Sequence, residues 1–171
     1  MDASKTSSTD NRRVDVQRIS DRELVVTRMF DAPARLVFEA WTKPELFRQW
    51  WAPTSVGMTF LACEMDVRTG GTYRLVFGHP CSEEPAAFHG RYLEVIPNAK
   101  VVWTNEESGE PGAITTVTFE EQDGQTRVVM HDLHPSKEAL DEAMASGSTS
   151  CTEEQFAQLN DLLDSSMAAS G

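Results

Sequence analysis

The residues with which this chain could do chemistry are four histidines, three cysteines and a scatter of carboxylates. His131 and His134 flank Asp132, but three positions apart on an extended strand they point to opposite faces. His79 and Cys81 share a loop with no second pair at ligand spacing. A zinc site needs three or four converging donors, so no metal site is expected. Nucleophilic catalysis lacks its pattern too: there is no Gly-x-Ser-x-Gly elbow, and no Cys–His pair has an evident oxyanion donor. Gly70-Gly71 lacks the strand–Gly–helix order of a phosphate loop and reads as a hairpin turn. No catalytic residue and no cofactor is assigned.

Acid–base chemistry keeps one opening. If Val128 and Met130 face inward on their strand, so does Asp132. Glu64 and Asp66 share a face of another strand, and His89 stands beside Gly90. A carboxylate in apolar surroundings has its pKa raised and can act as an acid or base. The plainer reading, which we prefer, has Asp132 capping the following turn and Asp66 pairing with Arg68.

The elements that must position these groups start from Phe30–Trp51 (FDAPARLVFEAWTKPELFRQWW), which holds three of the four tryptophans. Asp31 and Pro33 open a first helix with Leu36, Val37, Ala40 and Trp41 on one face. Thr42 and Glu45 form a capping box for a second helix carrying Leu46, Phe47, Trp50 and Trp51, which Pro53 ends. Strands are expected at 22–30, 58–67, 72–77, 88–96, 100–106, 114–121 and 126–133, the first of them ahead of the helices. Gly70-Gly71, Pro97-Asn98, Gly109–Gly112 and Asp123-Gly124 mark turns, and the HPCSEEP stretch reads as a loop. Short turns between successive strands predict an antiparallel meander. Helical periodicity resumes after Pro135, is interrupted at Gly147, and restarts with a Thr152/Gln155 capping box. A curved antiparallel sheet can wrap that last helix and leave a cavity, with the early helices plugging one end.

Composition narrows the partners. The 171 residues suffice for one domain with a sizeable core, and 40% hydrophobic content is ordinary for a globular chain. A formal charge of −12 argues against nucleic acid and anionic membrane surfaces. No apolar run reaches the length of a transmembrane helix, the first residues hold no apolar signal core, and three cysteines without motif spacing read as free thiols. A cytoplasmic protein is expected. We divide the chain into a flexible tail at 1–20, one domain at 21–166, and a frayed end at 167–171.

The runs FDAPARLVFEAWTKPELFRQWWAP, EMDVRTGGTYR, FHGRYLEVIP, VVWTNEE and TTVTFEE, followed by a terminal helix, resemble in order the helix-grip proteins of the START/SRPBCC superfamily. They look most like the branch of homologues of the activator of the heat-shock-protein-90 ATPase. The resemblance spans residues 22–165 and implies an α+β helix-grip fold: a curved antiparallel sheet around a long C-terminal helix, with two short helices after the first strand. It also implies a deep, mostly apolar cavity between sheet and helix, without implying one shared activity.

Placed on that fold, the cavity is expected to involve Trp50, Trp51, Met65, Tyr73 and Leu75, then Phe77, Tyr92, Trp103 and Val117. Phe119, Met130, Asp132, Phe156 and Leu159 complete the set. The leading expectation is binding of a small apolar or aromatic ligand, by a monomer or homodimer without nucleic-acid or membrane partners. Two alternatives stand beside it. One is a cyclase- or hydrolase-like enzyme using Asp132, Glu64 or His89; the other is a co-chaperone-like interaction module, which is not favoured.

Overall fold

The computed structural model describes residues 14–51, 57, 59–79, 82–106, 112–145 and 148–170. Alternation of apolar and polar residues produces eight strands among them. These are β1 (Asp15–Arg18), β2 (Glu23–Phe30), β3 (Thr59–Met65), β4 (Thr72–His79), β5 (Ser82–Ile96), β6 (Lys100–Thr104), β7 (Ile114–Gln122) and β8 (Gln125–Leu133). They form one antiparallel sheet in the order β1-β2-β8-β7-β6-β5-β4-β3. Helices α1 (Ala34–Thr42) and α2 (Pro44–Trp50) lie between β2 and β3, whereas α3 (Lys137–Ala145) and α4 (Ser148–Ser170) follow β8. This is the α+β helix-grip architecture, with a large curved open sheet and its longest helix at the C-terminal end.

One sheet face is built to be covered. Leu24, Val26 and Phe30 of β2 are buried, as are Val117 and Phe119 of β7 and Val128 and Met130 of β8. From α4, Phe156, Leu159 and Leu163 meet that face, and Phe156 sets its ring edge-on to Phe30 at 5.7 Å. Helices α1 and α2 add Val37, Trp41, Phe47 and Trp50 to the same cluster. Apolar contact of this extent is the main term holding sheet and helices together.

Several local expectations give way to longer-range bonds. Asp31 does not cap α1: Pro33 is its N-cap, and Glu121 Oε1 of β7 accepts from the Ala34 N–H at 2.9 Å. The capping box at Thr42 does not form either. Thr42 Oγ1 donates back to Phe38 O at 2.9 Å, Lys43 is the N-cap of α2, and Pro44 opens that helix. Thr152 lies inside α4 and not at its start, and Gln155 Nε2 donates to Trp51 O at 2.6 Å. Gln158 Nε2 donates to Trp50 O at 2.9 Å. Two glutamines of α4 thereby satisfy carbonyls that the end of α2 would leave open.

The strands also depart from expectation in places. Residues 15–18, expected within a flexible tail, pair with β2 as the edge strand β1. Ser82–Pro85, expected as loop, begin the 15-residue β5, with His79 paired to Ser82. A bulge between Phe60 and Ala62 ejects Leu61, which is 58% exposed, and leaves Phe60, Cys63 and Met65 against the core. Helix α4 continues to Ser170, through the stretch expected to fray. Positions 1–13, Pro53, most of the Gly109–Gly112 turn and Gly147 lie outside the described residues.

The turn at Asp123-Gly124 adopts φ of 57° and 80°, the paired left-handed conformation of a tight hairpin. Gly90 has a different role. A Cβ there would sit 2.1 Å from Thr104 O and 2.8 Å from the Tyr73 ring, so only glycine lets these strands and that ring close up. Gly90→Ala is expected to destabilise the fold by roughly 3 kcal/mol, because a backbone oxygen cannot yield cheaply. Denaturant titration measures this, and a midpoint equal to the parent's would contradict the packing described.

Candidate functional site

Pairing register sets side chains of five strands in one row across the covered face. Leu24 stands opposite Asp132, Asp132 opposite Thr115, Thr115 opposite Trp103, and Trp103 opposite Tyr92. Tyr73 of β4 adjoins the row, its ring 5.7 Å from that of Tyr92. An apolar face therefore carries polar atoms along one line, and each of them needs a partner.

Those partners lie within the row. Thr115 Oγ1 donates to Asp132 Oδ1 at 2.6 Å. Asn105, just past β6, donates from Nδ2 to Ala113 O at 2.8 Å and to Thr115 Oγ1 at 3.4 Å. Tyr73 donates its hydroxyl to Thr104 O at 2.7 Å and reaches Asn105 Oδ1 at 3.5 Å. Burial pushes the Asp132 carboxyl above its ordinary range, an effect that the Thr115 hydrogen bond, His134 and His131 partly oppose. His134 is shifted down by burial, against the pull of Asp132, and burial also pushes the Tyr92 hydroxyl up.

Beside the row stands a cluster of indoles. The Trp41 ring lies 4.7 Å from Trp50, 5.8 Å from Trp51 and 6.0 Å from Trp103, with Phe119 and Phe156 slightly farther away. Trp51 stacks on Phe47 at 4.8 Å. Trp50 is fully buried and donates its Nε1–H to Ala40 O at 2.9 Å. Trp41 is buried with its Nε1 lacking a hydrogen-bond acceptor among the described residues, in the midst of aromatic rings. Trp51 and Trp103 remain partly exposed.

The residues expected around the cavity separate into three groups. Trp50, Phe156, Leu159 and Val117 are sealed in the core, and Leu75, Phe77, Phe119 and Met130 are nearly so. Tyr73 and Tyr92 are buried but belong to the polar row. Trp51, Met65, Trp103 and Asp132 keep some accessible surface. Sequence reasoning left out Trp41, Thr115 and Asn105. Trp41 was recognisable from its helical face, and Thr115 from the alternation that turned Val117 inward. Asn105 follows the end of a strand, and no sequence signal marks it.

Other candidates fall elsewhere. Asp132 does not cap the following turn; its hydrogen bond runs sideways to Thr115. Asp66 pairs with Arg68 at 2.8 Å, as the plainer reading holds. Glu64 is exposed and pairs with Arg74 at 3.1 Å, while the exposed His89 stands opposite Arg74 in register, so neither joins Asp132 on the covered face. His131 bonds to Glu23 at 2.9 Å and holds the pKa of that carboxyl below its ordinary value. Among the described residues no three His, Cys, Asp or Glu side chains converge as a metal site would require, and no helix is long and apolar enough to cross a membrane.

A family model described as Activator of Hsp90 ATPase homolog 1-like protein matches residues 31–164. No curated protein matches the chain. Among solved structures, a protein from Rhodobacter sphaeroides is similar with a TM-score of 0.82 at 22% identity, covering 90% of this chain and 99% of its own. One from Nitrosomonas europaea gives 0.79 at 22% identity, over 88% of this chain and 99% of its own. A solution structure described as an AHSA1-like protein from Aeromonas hydrophila gives 0.65 at 14% identity, over 80% and 92%. These likenesses establish the shared fold, which supports a ligand-binding or interaction domain in general.

Asp132 leaves a measurable trace in stability. Because burial favours its neutral acid, the native state holds a proton that the unfolded chain releases near the ordinary value of 3.8. Stability from this group falls as pH rises from that value to the raised one. Glu23, Glu106 and Asp141, whose carboxyls are held low by hydrogen bonds, contribute in the opposite direction in parent and variant alike. Asp132→Asn should therefore gain thermal stability relative to the parent as pH is raised from about 3 to about 7. Parallel melting curves would contradict an Asp132 whose acidity is governed by burial.

Proposed function

The chain belongs to the Activator of Hsp90 ATPase homolog 1-like family, and we propose that it binds a small apolar or aromatic molecule between the inward sheet face and α4. One observation carries the reading. Burial dominates the acidity of Asp132, yet the residue is still partly accessible, and so are Trp103, two strands away in register, and Trp51 beside it. A group enclosed by protein and still open to solvent lines a recess. Flat indole surface with a few polar atoms at one side is the composition small-molecule sites use.

Magnitudes fit a binder. A naphthalene-sized molecule burying roughly 300 Å² of apolar surface gains about 7 kcal/mol before the costs of association. Net affinity in the micromolar to millimolar range follows, and a natural ligand with more contacts would bind tighter. Catalysis finds less support: Asp132 is the acid or base candidate on the covered face, and the alternative candidates Glu64 and His89 are exposed elsewhere. A co-chaperone role gains no specific support from the site. We place the protein in the cytoplasm as a monomer or homodimer, consistent with the free, half-buried thiol of Cys63.

The four indole N–H resonances provide the test. Naphthylmethanol titrated into isotope-labelled protein should shift the Trp51 and Trp103 resonances, and leave Trp50, locked onto Ala40 O, nearly still. Saturable binding that moves none of the indoles would refute the recess as the site.

A further inference from the structure

The row on the covered face has a one-sided hydrogen-bond inventory. The Thr115 hydroxyl proton goes to Asp132, both Asn105 amide protons go to Ala113 O and Thr115 Oγ1, and the Tyr73 proton goes to Thr104 O. The donors of Thr115, Asn105 and Tyr73, those nearest Asp132 and the strand ends, are thus engaged with protein. What remains open at the Asp132 end is acceptor capacity, because a carboxylate offers about four lone-pair sites and Thr115 fills one of them on Oδ1. The Trp41 N–H is sealed from solvent among its rings, and the partly exposed indoles are Trp103, two strands along the row, and Trp51 beside it.

Charge points the same way. Among the described residues no Lys or Arg side chain pairs with Asp132, whereas the exposed Asp66 and Glu64 and the half-buried Glu106 and Asp141 each have a basic partner. His131 and His134 offset the burial of this carboxyl only in part, and an enclosed carboxylate so placed favours a cation from outside the chain. Trp103 stands two strands from Asp132 in register, a backbone separation of about 10 Å at ordinary strand spacing. Indole faces at that distance favour an aromatic body and tolerate a cation between.

We propose that the molecule bound in this recess is an aromatic or apolar amine, its ammonium on Asp132 Oδ2 and its body against Trp103 and Trp51. The inference rests on the binding reading above and specifies its ligand class. The ammonium supplies a donor and a positive charge at the Asp132 end of the row, where Thr115 gives one hydrogen bond to Oδ1. A net charge of −12 on the whole chain draws cations toward it and repels the corresponding carboxylic acids.

Three probes of one shape test this by calorimetry at neutral pH and low salt: naphthylmethylamine, naphthylmethanol and naphthoic acid. The amine should bind the parent protein about ten- to a hundredfold tighter than the alcohol, the acid should bind weakest, and Asp132→Asn should bring the amine's affinity down to the alcohol's. Trp103→Leu should weaken amine and alcohol together. Alcohol or acid binding as tightly as the amine, with Trp103→Leu still weakening it, would overturn the amine inference and leave the recess standing. An amine preference that survives Asp132→Asn would also overturn it. Failure of all three to bind, or binding indifferent to Trp103→Leu, would remove the recess reading as well. Selectivity among the probes on the parent protein decides the matter even if Asp132→Asn folds poorly.

Discussion

Burial of the Trp41 indole is the constraint on which the other parts of this molecule depend. Its ring touches aromatic side chains from α2, β6, β7 and α4. For those contacts to coexist, α1 must sit at a fixed depth over the sheet and α4 must cross the end of α2. Gln155 and Gln158 of α4, bonded to the carbonyls of Trp51 and Trp50, hold that crossing in place. The orphaned Trp41 N–H costs on the order of 1–3 kcal/mol, and burial of a side chain that size outweighs it. Trp51 and Trp103 are consequently held beside it without being sealed.

The same packing explains why polar atoms survive on an apolar face. Thr115, Asn105 and Tyr73 satisfy one another and nearby carbonyls, so their presence costs little. Asp132 is the exception, with one hydroxyl bonded to it and enclosure raising its pKa. A fold under pressure only for stability would favour Asn or Leu at this position. In the binding reading proposed above, this enclosed carboxylate near the indoles is explained by what it binds.

Much of this architecture was legible in the sequence. Alternation in ITTVTFEE and TRVVMHDL located β7 and β8 within a residue or so, and DG and GG fixed hairpins, because those signals are local. The misses share a different cause. Ala34 takes its acceptor from Glu121, 87 residues away, and Gln155 serves Trp51, 104 residues away, so no capping pattern read along the chain could find them. The bulge that expels Leu61 is set by pairing with β4, and β1 exists because β2 offers it an edge. At the site, Asp132 could be placed from Val128 and Met130 by strand period alone. Its neighbours Thr115 and Trp103 required the register across three strands, which a single sequence does not specify.

The most direct measurement is a crystal structure of the protein with naphthylmethylamine bound. The account expects the ring system against Trp103 and Trp51 on the inward sheet face, with its nitrogen within hydrogen-bonding distance of Asp132 Oδ2. Density for the amine on the outer face of the sheet beside Glu64 and Arg74, with Trp103 and Asp132 packed against protein alone, would contradict it.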